Sequence, residues 1–170
     1  MWWSETSPGP TRRGALAALA AVLVTSACEF TPVYAPGGQG AALSGNVDVA
    51  FQNGNVEFSL GQALQDRLGP PQSPRYRLSY TLRTRSERVA ITTAQSTNQF
   101  NLIGVATYQL VDTSTGGVAM SGRVDGFSSY NSSGISVSTQ AAERDGYDRL
   151  TVILADKIMS RLISGPELSR

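Results

Sequence analysis

The sequence predicts an α+β fold: a two-layer sandwich in which a mainly antiparallel four-stranded sheet carries two helices on one face. Three observations predict it. Apolar and polar residues alternate in several short segments, as on a half-buried strand. In two other segments apolar residues recur every four positions, the spacing of a helical stripe. The order of these patterns is strand, helix, three strands, helix. Each helix has one stripe and the sheet one apolar face, so the simplest burial puts both helices on that face.

The N-terminus precedes this domain and reads as a targeting segment. Arg12 and Arg13 stand before the 11-residue run Gly14 to Val24, "GALAALAAVLV", and the small residues "TSA" lead directly to Cys28. A bilayer core about 30 Å thick needs about 20 apolar residues of helix, so the run is too short to span it. The alternative, a buried Ala-rich helix, accounts neither for the paired arginines nor for the helix-breaking "TPVYAPGG" that follows. "TRRGAL" carries only part of a twin-arginine export pattern. The cleavage region resembles the lipobox of bacterial lipoproteins, with Thr25 where an aliphatic residue is usual. That resemblance implies a signal peptide over 1–27 and an acylated Cys28 at the mature N-terminus. Each buried CH₂ of the acyl chains adds about 0.8 kcal/mol of membrane affinity. The other reading of Cys28 is a free thiol buried as a small hydrophobe.

Residues 28–45 are then a lipidated tether and linker, since "APGGQGAALSG" is rich in glycine and poor in large apolar residues. The domain occupies 46–164, and 165–170 form a tail. "NVDVAF" places Val47, Val49 and Phe51 on one side of the first strand. Val56, Leu60, Leu64 and Leu68, with Ala63 beside them, make the first helical stripe. Asn53 or Asn55 can cap its start, and Gly69 followed by Pro70 and Pro71 stops it. "YRLSYTLRTR" puts Tyr76, Leu78, Tyr80 and Leu82 on one face and Arg77, Ser79, Thr81, Arg83 and Arg85 on the other. Phe100 to Asp112 is rich in strand formers, and "TSTGG" joins it to "VAMSGRVDGFS" as a hairpin. Ser128 to Ser136 reads as a flexible loop, with Tyr130 at its tip either inserted into a partner or simply exposed. Thr92 to Gln99 reads as a polar connection. The chain closes on a long helix whose stripe is Tyr147, Leu150, Leu154, Ile158 and Leu162, broadened by Thr151 and Ile153.

Composition removes several functions. The 170 residues include one cysteine and no histidine, and the formal net charge is +1. One thiol forms no internal disulfide, and near-neutral charge argues against wholesale nucleic-acid binding. Without histidine the common catalytic triads and the usual zinc, copper and haem ligand sets are missing, so we expect no catalytic residues, no metal site and no cofactor. Paired carboxylates remain possible: Asp112 with Asp125, on neighbouring strands, and Asp145 with Asp148, three apart on a helix. Solvated surface acids are the ordinary reading of both pairs.

The segment with most chemical content is basic. Arg75, Arg77, Arg83, Arg85 and Arg88 face a single acid, Glu87. Period two sends Arg75, Arg77, Arg83 and Arg85 to one strand face, where Arg123 can join them from the fourth strand. Guanidinium groups bind phosphate bidentately, which suits an anionic lipid headgroup. The competing reading is a solvated strand face that discourages edge aggregation.

Cys28, Phe30, Pro32 and Tyr34 at these spacings, with the element order behind them to about Ser164, resemble the LPS-assembly lipoproteins of the LptE family. Glu29 stands where that family commonly has Gly. The resemblance implies an outer-membrane lipoprotein on the periplasmic side, anchored through Cys28. It further implies that the chain assembles with and plugs the β-barrel lipopolysaccharide translocon LptD and engages lipopolysaccharide, for which Arg75, Arg77, Arg83, Arg85 and Arg123 are the candidate groups read from the strand pattern. An accessory or pilotin-type lipoprotein of another envelope complex is the alternative. A lipoprotein hydrolase is a third class, disfavoured by the missing histidine.

Overall fold

The computed structural model describes residues 38–91, 98–132 and 136–166. The signal peptide, Cys28, the first part of the linker, most of the Thr92–Gln99 connection, residues 133–135 and the last four residues lie outside them. The elements in order are α1 (Gln39–Leu43), β1 (Val47–Val49), α2 (Asn55–Leu68), β2 (Tyr76–Ile91), β3 (Asn98–Asp112), β4 (Val118–Ser132) and α3 (Ser136–Ser164). Among the described residues no helix is long and apolar enough to cross a membrane.

The α+β sandwich is as expected, with two differences in detail. The sheet is mixed: in the order β1-β2-β3-β4, β1 runs parallel to β2 while β2, β3 and β4 form an antiparallel meander. Parallel neighbours need a crossover, and α2 is that crossover. Among the described residues there are also three helices, because part of the segment read as linker is α1. Gly40 and Leu43 of α1 are buried. The Gln39 side-chain amide donates to the carbonyls of Leu162, Gly165 and Pro166 at 3.0, 3.3 and 2.9 Å. These include carbonyls that the end of α3 leaves without helical partners. Leu43 belongs to the hydrophobic core.

Period two governs the sheet. Tyr76, Leu78, Tyr80 and Leu82 of β2, Leu102, Ala106, Tyr108 and Leu110 of β3, and Met120, Val124 and Tyr130 of β4 are buried on the even-numbered face. Against that face lie Leu60, Leu64 and Leu68 of α2 and Leu150, Leu154, Ile158 and Leu162 of α3, all fully buried. A second row, Thr151, Ala155 and Met159, widens the α3 stripe. Gly54 is the residue before α2, with no side-chain cap, so neither Asn53 nor Asn55 serves as one.

Paired glycines on β3 and β4 bring the helix layer close to the sheet. Gly104 and Gly126 are cross-strand partners. A Cβ on Gly104 would lie 3.0 Å from Leu154 Cδ1 and 3.1 Å from Leu150 Cδ2, and one on Gly126 would lie 3.2 Å from Ile153 Cγ2. The paired glycines form a notch that receives the leucines of α3.

β2 and β4 are both longer than the sequence pattern shows. β2 continues through Glu87 and Arg88 to Ile91, paired with β3 up to Asn98. β4 continues to Ser132, so Tyr130 is not at a loop tip. It is buried, stacked on its cross-strand partner Phe100 with ring centroids 5.1 Å apart, and packed beside Gly146 of α3. Both sequence readings of Tyr130, inserted into a partner or exposed, are thereby overturned. Burial, more than the nearby Glu143 carboxylate, raises its phenol pKa above the ordinary value.

Candidate functional site: the open face of the sheet

Among the described residues no helix lies over the odd-numbered face. The register reads off its rows directly. Ser79, Gln109 and Ser121 form one row, and Thr81, Thr107 and Arg123 the next. Arg83, Val105 and Asp125 follow, and then Arg85, Ile103 and Phe127. Neighbouring strands are about 4.8 Å apart, so the backbones of β2 and β4 are about 10 Å apart across each row.

The six arginines singled out from the sequence divide by what holds them. Arg75 stands just before β2 and is tied to the β3–β4 turn. Its Nε lies 3.5 Å from Asp112 Oδ2, its guanidinium lies over the Tyr76 ring, and its carbonyl accepts from Thr113. Asp112 organises that turn. It accepts from the Ser114 hydroxyl and from the amides of Ser114 and Thr115, and these bonds, with Arg75 adding less, hold its carboxyl below the ordinary range. Arg77 pairs with Asp48, its register partner on β1, at 3.2 Å. Arg85 pairs with Glu87 at 3.2 Å on its own strand, with both side chains more than half exposed. Such exposed pairs contribute about 0 to 1 kcal/mol and leave the guanidinium able to exchange partners. Arg83 and Arg123 are exposed and have no ion-pair partner among the described residues. The structure thus gathers Arg83, Arg85 and Arg123 on one open face and leaves Arg77 at its margin. Arg75 belongs to a turn. Arg88 has the opposite parity and lies over the Phe100 ring at 5.3 Å.

Sequence reasoning missed the apolar half of this face. Phe127 is 70% exposed and Ile103 and Val105 are partly exposed beside it, next to Arg83 and Arg85. Val89, 54% exposed, lies further along β2. The available signal was the run "LIGVA" at Leu102–Ala106, which is apolar at odd and even positions alike and so marks a strand with apolar side chains on both faces. The face combines cationic groups suited to phosphate with an apolar surface suited to hydrocarbon.

The structure keeps Asp112 and Asp125 apart. Asp125 is opposite Val105, seven residues along β3 from Asp112, which is about 24 Å of strand. Asp145 is ion-paired with Arg149 one turn on. No group of three or more Asp, Glu, Cys or His side chains suited to a metal ion occurs among the described residues.

Comparison with known proteins agrees with this architecture. The family model described as "LptE: Lipopolysaccharide-assembly" matches residues 45–162. No curated protein matches the sequence. A solved lipoprotein from Caulobacter crescentus CB15 superposes with a TM-score of 0.62 at 20% identity, covering 74% of this chain and 93% of that one. The rare lipoprotein B of Shewanella oneidensis superposes with a TM-score of 0.50 at 10% identity, covering 70% of this chain and 92% of that one. At these identities the two structures support the fold.

Proposed function

The chain belongs to the LptE lipopolysaccharide-assembly family, and from that premise we propose that it is an outer-membrane lipoprotein that assembles with the β-barrel translocon LptD. It plugs the barrel and assists lipopolysaccharide insertion at the cell surface. Acylated Cys28 holds it to the periplasmic side of that membrane, and its mechanism is binding without covalent chemistry. Lipopolysaccharide is engaged on the open sheet face. Arg83, Arg85 and Arg123 meet the phosphates, while Ile103, Val105 and Phe127 meet the acyl chains.

The observation that carries this reading is the amphiphilic character of the open face. A sheet of this kind needs only polar residues on its wet side. Here three arginines border an exposed phenylalanine and two partly exposed aliphatics.

Two measurements test it. Extraction in mild detergent should recover the chain with a stoichiometric large barrel. Recovery with a different envelope complex would favour the pilotin-type alternative. Changing Arg83 and Arg85 together to Gln keeps long polar side chains but removes charge, and each lost charge-assisted contact is worth roughly 1.5 to 3 kcal/mol. Lipopolysaccharide affinity should fall at least tenfold at 0.1 M salt, where the Debye length is about 10 Å, and the difference should shrink at 1 M, where it is about 3 Å. Unchanged binding with an intact fold would show that these side chains hold no ligand.

A further inference from the structure

The two edges of the sheet are treated differently by the rest of the molecule. At the outer edge of β4, Lys157 of α3 donates to the Asp125 carbonyl at 2.6 Å, and Arg149 of α3 donates to the Ser129 carbonyl at 2.9 Å. Two long cations from the covering helix thus occupy carbonyls that point away from β3. This is one of the ways in which an edge strand is kept from pairing with another chain.

Among the described residues the outer edge of β2 has no such cover. β1 pairs with it only from Tyr76 to Leu78. The Tyr76 amide donates to Asn46, and the Leu78 carbonyl accepts from Ala50, so the even-numbered residues of β2 turn their backbone groups outward. By strand alternation Leu82, Thr84, Ser86 and Arg88 do the same. Among the described residues no strand pairs with this edge, and residues 83–89 are all exposed. The register stays regular until the shift between Arg88 and Ala90, so the outward row is unbroken.

We propose that this edge of β2, residues 82–88, is a strand-addition site for an extended acidic segment of a partner protein. The charge selects the occupant. An added strand would set alternate side chains beside Arg83 and Arg85, within the roughly 4.5–5.5 Å reach of cross-strand pairs. Acids there are matched. A second copy of the same edge would bring Arg83, Arg85 and Arg88 against one another and is disfavoured by like charge. The intervening side chains of the added strand would lie on the helix side beside Leu82. The exposed ring pair Phe51 and Phe58, 5.3 Å between centroids, forms an apolar shoulder near Tyr80 on that side. The fitting segment therefore alternates acidic and apolar residues. The proposal shares Arg83 and Arg85 with the lipopolysaccharide reading and differs from it in using the backbone groups of the edge, which Thr84→Pro tests separately.

The probe is a ten-residue peptide alternating Glu and Val, with a Lys and Val peptide as its control, added to the full chain in detergent. The Glu peptide should bind at least tenfold more tightly. Amide exchange at Leu82, Thr84, Ser86 and Arg88 should slow at least tenfold, while the amides of Arg83 and Arg85, already facing β3, stay as they were. Thr84→Pro removes one outward N–H and no bond to β3, which an edge strand tolerates. It should abolish peptide binding but leave lipopolysaccharide binding intact. Arg83→Glu with Arg85→Glu, which leaves the backbone untouched, should reverse the preference to the Lys peptide. The proposal fails if the two peptides bind alike, or if the Glu peptide binds without protecting the even-numbered amides. It fails equally if those amides are protected before any peptide is added, whether by another part of the chain or, with concentration dependence, by a second copy.

Discussion

Replacing Leu154 by Ala in the presence and absence of Ala at Gly104 tests how the helix layer is seated on the sheet. Leu154 is fully buried, and its Cδ1 would stand 3.0 Å from a methyl carbon placed on Gly104. Leu154→Ala removes three carbons, about 2.4 kcal/mol at 0.8 kcal/mol per buried CH₂, and leaves a cavity, so the total should lie at about 3 to 4 kcal/mol. Gly104→Ala alone overpacks the notch against both Leu150 and Leu154. It should cost about 1 to 2 kcal/mol after the gain from a stiffer unfolded chain. In the double variant the new methyl enters the space that Leu154 vacated. The pair should then cost less than the sum of the singles by about 1 kcal/mol or more. Urea unfolding of all four proteins, followed by circular dichroism at 222 nm, gives the cycle. Additivity within about 0.5 kcal/mol would mean that the two sites do not share a space, and the notch would lose its role.

Three other outcomes follow from the same structure and sequence. Mass spectrometry of the mature protein should show loss of residues 1–27 and a lipid on Cys28; an intact Met1 would end the lipoprotein reading. Gln39→Ala should destabilise the domain by about 1 kcal/mol and speed amide exchange at the end of α3, because the amide that meets the carbonyls of Leu162 and Pro166 is gone; an unchanged midpoint would make α1 incidental. The Asp112 carboxyl titrates below its ordinary 3.8, chiefly through the Ser114 hydroxyl, so its contribution to stability is complete above that value and is lost as pH falls through the lower folded value. Asp112→Asn should remove this part of the acid dependence, and an identical acid limb in the variant would refute it.

What was legible in the sequence is what has a period. The even-numbered face of β2 and the stripe of α3 repeat every two and every four residues, and all of their aliphatic members except Ile153 are buried. What lacked a period stayed hidden. α1 is five residues of Gln, Gly, Ala and Leu, too short for a stripe, and it is held by contacts more than 120 positions away in the chain. The outer part of β2 is exposed on both faces, so its sequence does not alternate, and only pairing with β3 reveals it as strand. Tyr130 looked like loop because serines and asparagine surround it. Its burial comes from Phe100 across the sheet and from a glycine on α3 that makes room.

The site was legible to the extent that parity determines it. Arg83 and Arg85 share a face because the segment of β2 from Tyr76 to Arg88 holds one register against β3, and the shift comes only after Arg88. A one-residue slip within that segment would turn both arginines to the other face and carry Leu78, Tyr80 and Leu82 out of the core. Arg77 could not be separated from them by parity, since its partner Asp48 comes from a parallel register that the sequence does not display. The exposed ion pairs of the row contribute little to stability, whereas the even face carries the core. Scaffold and candidate site are thus written into alternate residues of the same strands. It follows that the arginines can be changed without unfolding the domain, and this makes binding separable from folding in every experiment on this face.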